Sequence, residues 1–317
     1  MKYVITGALG FIGSTFVRYL LENDSNSSII CIARKPDQRK TLRLEGAEQG
    51  KRCRILYRDL YKDDIYDVFD NVDAVYHLAA KTFVDHSIRD PQPFIQDNIG
   101  ATFKILEALR KHDTVHRFFY ISTDEVFGSI ESGSYTEDSP LNPTNPYAAT
   151  KAAAEMLTLS YHNTYGLPII ITRTENVYGA YQEVVKVFPV FTRKALNNEP
   201  LPVYGDGKHI RQWLYVEDKC RALHHLLEHG EVGEKYNIAG NRELMNIELA
   251  YKILDVLGKP HDMVKYIPDF NIRPGHDRRY ALDSSKIRGT GWEPRWSLDE
   301  GIRATVEWYR DNQWWYN

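Results

Sequence analysis

The chain lacks most of the features that would assign it to a specialised class. Its three cysteines, Cys31, Cys53 and Cys220, are odd in number and far apart. They form neither a metal-ligand spacing nor a redox motif, and they read as reduced thiols of a cytoplasmic protein. No apolar run approaches the roughly 20 residues that a membrane-spanning helix requires. Neither sign of charge dominates: 40 Lys and Arg stand against 43 Asp and Glu, a net −3. No overall field therefore favours nucleic acid or an anionic membrane, and any anionic ligand must meet local cations. Internal repeats and low-complexity tracts are missing too. Met1-Lys2-Tyr3-Val4-Ile5-Thr6-Gly7 reads as a strand from the outset, an expectation that leaves no room for a leader peptide.

What is present is ordinary globular composition, 43% hydrophobic and 26% charged over 317 residues, enough for a large core divided into two lobes. Short apolar, partly β-branched runs at Tyr3–Thr6, Ile29–Ala33, Ile55–Tyr57, Ala74–Leu78, Phe118–Ser122 and Ile169–Thr172 alternate with helical spacing at Phe11–Glu22, Pro93–His112 and Tyr147–Tyr165. Such alternation predicts an α/β fold, a doubly wound parallel sheet of Rossmann type with ligands at the carboxyl ends of its strands. Beyond about residue 175 the pattern loosens around Pro189, Pro200, Pro202 and Pro274, which suggests a second, smaller, discontinuous α/β lobe. A strand at Lys235–Ile238 and a helix at Asn246–Leu257 are read as returning to the sheet. The expected division is residues 1–174 plus about 211–258 for the dinucleotide lobe, and about 175–210 with 259–317 for the substrate lobe. The terminal aromatics Trp308, Trp314, Trp315 and Tyr316 are read as core or lobe-to-lobe packing.

Gly7-Ala8-Leu9-Gly10-Phe11-Ile12-Gly13 lies where the first strand turns into the first helix. Glycines there let the backbone approach a pyrophosphate, and the helix N-terminus offers open N–H groups. The G-x-x-G-x-x-G spacing is the variant of the short-chain dehydrogenases/reductases. Asp59 and Leu60 after the third strand, and Leu78, Ala79 and Ala80 after the fourth, fit the adenosine side. An NAD site calls for an acid about 20 residues past the glycines, but Ala33 and Arg34 stand at the second strand's end. Arg34 would suit the 2′-phosphate of NADP; a solvated basic loop is the alternative.

Two constellations carry the chemistry. Tyr147 and Lys151, four apart on one helix face, suit an alcohol oxidation in which the phenol takes the proton as hydride leaves the carbon. Ser122-Thr123-Asp124-Glu125-Val126-Phe127-Gly128 adds adjacent carboxyl groups, a separate acid and base that simple oxidation does not need. Together they suggest oxidation, loss of water and reduction on one sugar.

On these motifs the chain resembles the extended short-chain dehydrogenases/reductases, and within them the nucleoside-diphosphate-sugar 4,6-dehydratases, with the dTDP-glucose type nearest. The resemblance also covers Val84-Asp85, Arg173 with Asn176 and Tyr178-Gly179, Tyr204-Gly205-Asp206-Gly207 with Arg211 and Trp213, and Arg273-Pro274-Gly275-His276-Asp277-Arg278-Arg279-Tyr280. It implies a tightly held, recycled nicotinamide cofactor, NAD in the family's usual case. It implies Lys151 on the nicotinamide ribose lowering the pKa of Tyr147, Thr123 steering the sugar 4-oxygen, Glu125 as base for the C5 proton and protonated Asp124 as acid for the 6-hydroxyl. It places Thr82, Val84, Asp85, Asn176, Lys186, Arg211, Asn246, Arg273 and His276 about the nucleotide sugar, the Arg pair with His276 as a diphosphate clamp.

The chain departs from the family where Ala80-Lys81-Thr82-Phe83-Val84-Asp85-His86 replaces the usual Ala-Glu-Ser-His-Val-Asp-Arg. It departs again at Glu183-Val184-Val185-Lys186 and at the missing acid near Ala33. These sites bear on the base, sugar and cofactor phosphate rather than on the reaction centre. Three readings follow: a 4,6-dehydratase of a dTDP- or UDP-linked hexose, an epimerase or decarboxylase of the same superfamily, and an inactive NAD(P)-sensing protein. No metal, nucleic acid or membrane partner is expected. Apolar residues on more than one face of helices 93–112 and 147–165 suggest a homodimer.

Overall fold

The computed structural model describes residues 1–34, 38–47, 51–268 and 277–316. Seven parallel strands form the central sheet in the order β10-β6-β5-β4-β1-β2-β3. Their spans are β1 Lys2–Thr6, β2 Ser28–Ala33, β3 Cys53–Tyr57, β4 Ala74–His77, β5 Arg117–Ile121, β6 Ile169–Thr174 and, from much later in the chain, β10 Lys235–Ile238. The doubly wound expectation is met. The order reverses between β1 and β4, so a crevice opens at the carboxyl ends beside Gly7 and Leu78.

Alternation along β1 divides the core. Tyr3 and Ile5 face helices Phe11–Asn23 and Val216–His229 with Phe16, Leu20, Leu223 and Leu226. Val4 faces the opposite side with Val75, Phe118, Ile105, Leu106 and Tyr161. A parallel sheet covered on both faces has to be apolar on both, which is why its strands read as continuous apolar runs. Phe16 is fully buried and meets Tyr76 edge-on at 4.7 Å, while Tyr76 stacks on Phe119 at 4.5 Å.

Between β7 Asn176–Tyr178 and β12 Val264–Ile267 the chain builds two small sheets. One joins β7, β9 Ile210–Tyr215 and β11 Glu243–Met245; the other pairs β8 Leu201–Tyr204 with β12. Helices Val187–Leu196, Asn246–Leu257 and Leu298–Asp311 bury Phe188, Phe191, Leu249, Ile253, Ile302 and Val306 against them. The expected return of helix 246–257 to the sheet side is therefore corrected: its apolar face belongs to this second core. Ile287 and Trp292, expected with the substrate lobe, pack instead in the core of the large sheet.

The expected helix 93–112 is a composite. It runs as Gln92–Phe94, a wider π-helical stretch Ile95–Gly100, and Ala101–Leu109. The C-terminal aromatics largely pack as expected. Trp315 is fully buried and donates Nε1–H to the Gln182 carbonyl at 2.9 Å, whereas Trp314 is exposed. Folding also brings the Cys31 and Cys53 sulfurs to 3.5 Å on neighbouring strands, although both stay thiols. No helix among the described residues is long and apolar enough to cross a membrane.

Candidate active site

The first turn after β1 requires its glycines. Gly7 has φ 69°, and a Cβ there would lie 2.7 Å from the Ala79 amide nitrogen; one on Gly13 would lie 2.4 Å from the Gly7 carbonyl oxygen. Strand, turn and helix are thus locked together with backbone exposed to the crevice. Gly10 caps helix Phe11–Asn23 without a side-chain acceptor, leaving the first amides directed outward. Beside this turn lies a cavity of about 650 Å³, lined by Gly7, Gly10, Arg34, Asp59, Leu60, Leu78, Ala79, Ala80 and Thr82 from the expected set. Phe11 and Gly13 are buried behind it, and Ile12 is half-buried. Asp59 also holds its own turn, accepting from the amides of Tyr61 and Lys62. A glycine cradle with open helix amides beside a cavity of this size fits a dinucleotide.

Arg34, expected to suit a 2′-phosphate, is instead engaged by a carboxylate. It donates to both carboxylate oxygens of Asp97, at 3.3 and 2.8 Å, across the cavity.

The acid pair sits where β5 ends. Thr123 caps a short 3-10 turn, Asp124–Phe127, by accepting from the Glu125 amide at 3.3 Å, and its hydroxyl donates to Asp124 Oδ1 at 3.0 Å. Asp124 is 5% exposed, with its Oδ2 buried and without a hydrogen-bond partner. Burial first, and the charge of Glu125 second, push the Asp124 carboxyl up to about 7. Glu125 is also raised, mainly by burial, but is relieved by Lys186, Asn145 and Arg211. The two neighbours are thereby set apart: one keeps its proton near neutrality while the other has cations to favour its ionised form.

Helix Pro146–Tyr165 carries Tyr147 and Lys151 alongside. Asn145 caps it, accepting from the Ala148 amide at 2.9 Å, and the Ser87 hydroxyl accepts from the Tyr147 amide at 3.1 Å. Lys151 is buried and donates to the Ile121 carbonyl at 2.7 Å, its ammonium 4.2 Å from the Tyr120 ring centroid. The expected lowering of the phenol is corrected. Burial, then the charge of Glu125, hold Tyr147 above the ordinary phenol range, although nearby Thr123 pulls the other way. Burial also brings Lys151 down to about 7, so its own charge is costly.

Arg211 on β9 is buried at 7% and directs its guanidinium to the carbonyls of Ile210, Asp277 and Arg278, over the Tyr280 ring. It is close enough to lower both Asp124 and Glu125 electrostatically. Asn176 opens β7 in register with Trp213, and Asn246 opens its helix with its amide on the His209 carbonyl. Lys186 lies 4.4 Å over the Phe83 ring. Val84 and Asp85 begin helix Val84–Arg89, whose Ser87 touches the catalytic helix. Arg273 and His276 lie outside the described residues.

Sequence reasoning missed several residues. Asn98, 1% exposed, binds the Lys81 backbone through both amide atoms and donates to Thr150, tying the β4 loop to the catalytic helix. Asn145 was hidden as an ordinary helix cap. Glu175 is buried after β6 and accepts from the Gly240 amide. Only the Asn145-Pro146 start signal could have flagged any of these.

Comparison with known proteins agrees with this geometry. Residues 4–305 match the family model of GDP-mannose 4,6-dehydratase. The chain is 43% identical over 310 residues to the low-salt glycan biosynthesis protein Agl12 of Haloferax volcanii, covering 98% of each. It is 42% identical over 322 residues to a dTDP-glucose 4,6-dehydratase of Streptomyces niveus, covering 100% of this chain and 95% of that one. A dTDP-glucose 4,6-dehydratase of Streptomyces venezuelae, solved with NAD bound, superposes with TM-score 0.92 at 38% identity, over 99% of this chain and 98% of that one.

Proposed function

Because the chain belongs to the GDP-mannose 4,6-dehydratase family, we propose that it is a hydro-lyase converting a nucleoside-diphosphate hexose into its 4-keto-6-deoxy derivative. The substrate we assign is dTDP-glucose or a close relative, in keeping with the activity named for similar chains. The single observation that carries the reading is the pair Asp124–Glu125, a buried carboxyl held protonated near neutrality beside a half-buried one flanked by cations. Oxidation or epimerisation alone would leave the acid of that pair without a task.

NAD, when bound, supplies hydride acceptance from sugar C4 and return to C6. Around it the residues divide the proton work. Tyr147 takes the 4-hydroxyl proton as its phenolate, its own proton first passing to the neighbouring Lys151, whose amine is brought down to about 7 and so can accept it. Thr123, hydrogen-bonded to Asp124 and close enough to lower the Tyr147 phenol, steers the same oxygen. The 4-ketone acidifies C5–H, so the Glu125 carboxylate suffices to remove that proton, and it returns the proton to C5 as C6 is reduced. Asp124 gives its proton to the departing 6-hydroxyl, which leaves as water. Arg211 faces the acid pair and supplies positive potential on the diphosphate side, Asn176 adding a polar contact. Arg34 held by Asp97 supports NAD over NADP.

A homodimer through helices 93–112 and 147–165 is part of the proposal, and exposed Ile95, Phe103 and Met156 support it; sedimentation as a monomer at micromolar concentration would contradict it. Cytoplasmic residence is proposed from three cysteines that all remain thiols. The decisive experiment incubates the purified protein with dTDP-glucose and follows the ultraviolet absorbance of the product in alkali, which only the 4-keto-6-deoxy sugar develops. Turnover to a C4 epimer without that absorbance would refute the dehydratase reading.

A further inference from the structure

We propose that Asp97 is the residue that selects the unphosphorylated dinucleotide, supplying from the opposite wall of the pocket the carboxylate that the end of β2 lacks. The inference rests on the NAD reading above and names the residue behind it.

β2 ends in Ala33, so no acid there can discourage a 2′-phosphate. Arg34 follows, and taken alone it would invite one. Asp97 closes that opening from the π-helical stretch Ile95–Gly100, far away in sequence. Its two oxygens meet the two terminal nitrogens of Arg34 side by side, and Lys81 lies 3.6 Å from the same carboxylate. Arg34, Lys81 and Asp97 all line the 650 Å³ cavity.

The position of Asp97 is fixed by its neighbour. Asn98 is anchored to the Lys81 backbone at 2.8 and 3.1 Å and to Thr150 at 3.0 Å. Asp97 is thus carried on a rigid segment. Its side chain is 13% exposed against 52% for Arg34, so the acid is the enclosed member of the pair and the guanidinium the solvent-facing one.

The strength of the ion pair is not what matters, since a half-exposed pair contributes only about 0–1 kcal/mol. A phosphate could draw Arg34 away. It would then carry about −1.5 to −2 charges next to this carboxylate in a partly enclosed pocket, where repulsion is poorly screened. Ribose hydroxyls face no such penalty and can donate to a carboxylate. With Asp97 the group of three side chains carries one net positive charge; without it, two, and the wall becomes a phosphate site.

The test exchanges cofactor on the intact holoenzyme. Protein is equilibrated with an equimolar excess of NAD+ and NADP+, desalted and denatured, and the released dinucleotides are quantified by mass spectrometry. Wild type should retain NAD well in excess of NADP, and Asp97→Asn should cut that ratio by about tenfold. The double variant Asp97→Asn with Arg34→Ala should lose the gained NADP, because the released guanidinium is its source. An unchanged ratio in a folded Asp97→Asn protein overturns the role of Asp97 and leaves the NAD reading intact. Wild type retaining mainly NADP overturns the NAD reading itself. Arg34→Ala alone should lower NADP retention further without reducing NAD, so a structural defect, which would lower both, is distinguishable.

Discussion

Asn145 serves two masters: its side-chain oxygen caps the helix that carries Tyr147 and Lys151, and its amide donates to Glu125 Oε2 at 3.3 Å. One residue therefore aligns the redox helix with the base for C5. Asn145→Ala should cost about 1 kcal/mol of stability through the lost cap. It should also slow elimination more than 4-oxidation, read as solvent-deuterium incorporation at C5 against cofactor reduction in single turnovers.

The acid and base act in a different step from the hydride transfer. Asp124→Asn with Glu125→Gln should reduce water loss by about 10²–10⁴-fold while slow reduction of bound cofactor by the sugar remains visible by absorbance. Equal loss of both signals would deny the two carboxyls their separate roles.

The Asp124 carboxyl is raised to about 7, and elimination requires its protonated form. That form is present below about 7 and falls roughly tenfold per pH unit well above it, so kcat should fall on the alkaline side. Ionisation of Glu125, itself raised, gives the acidic limb. In Asp124→Asn the residual elimination should lose the alkaline limb assigned to Asp124; an unmoved limb would assign it elsewhere.

Arg173 and Glu155 form a buried pair, with Arg173 Nε donating to Glu155 Oε1 at 3.0 Å and side chains 3% and 0% exposed. Glu155→Gln should destabilise by about 3–5 kcal/mol, since a buried cation loses its countercharge, a loss measured by denaturant unfolding. The same change removes the charge that favours the proton on Lys151.

Gly13→Ala should expel the cofactor rather than merely weaken it, because the new Cβ would meet the Gly7 carbonyl at 2.4 Å. Mass spectrometry of the purified variant should find little dinucleotide.

The sequence by itself determined whatever local backbone geometry encodes. Apolar runs fix buried parallel strands, the glycine spacing fixes the turn after β1, and four-residue spacing puts Tyr147 and Lys151 on one helix face. The adjacency of Asp124 and Glu125 needed no fold to be seen. Tertiary structure alone decided what depends on excluded water and on partners distant in the chain. It set Asp97 against Arg34, aimed Arg211 at the carbonyls of Asp277 and Arg278, moved helix Asn246–Leu257 to the second core, and raised the Tyr147 phenol against expectation. Spacing is a property of a segment, whereas desolvation and charge pairing arise only when separate segments close on one another and expel solvent.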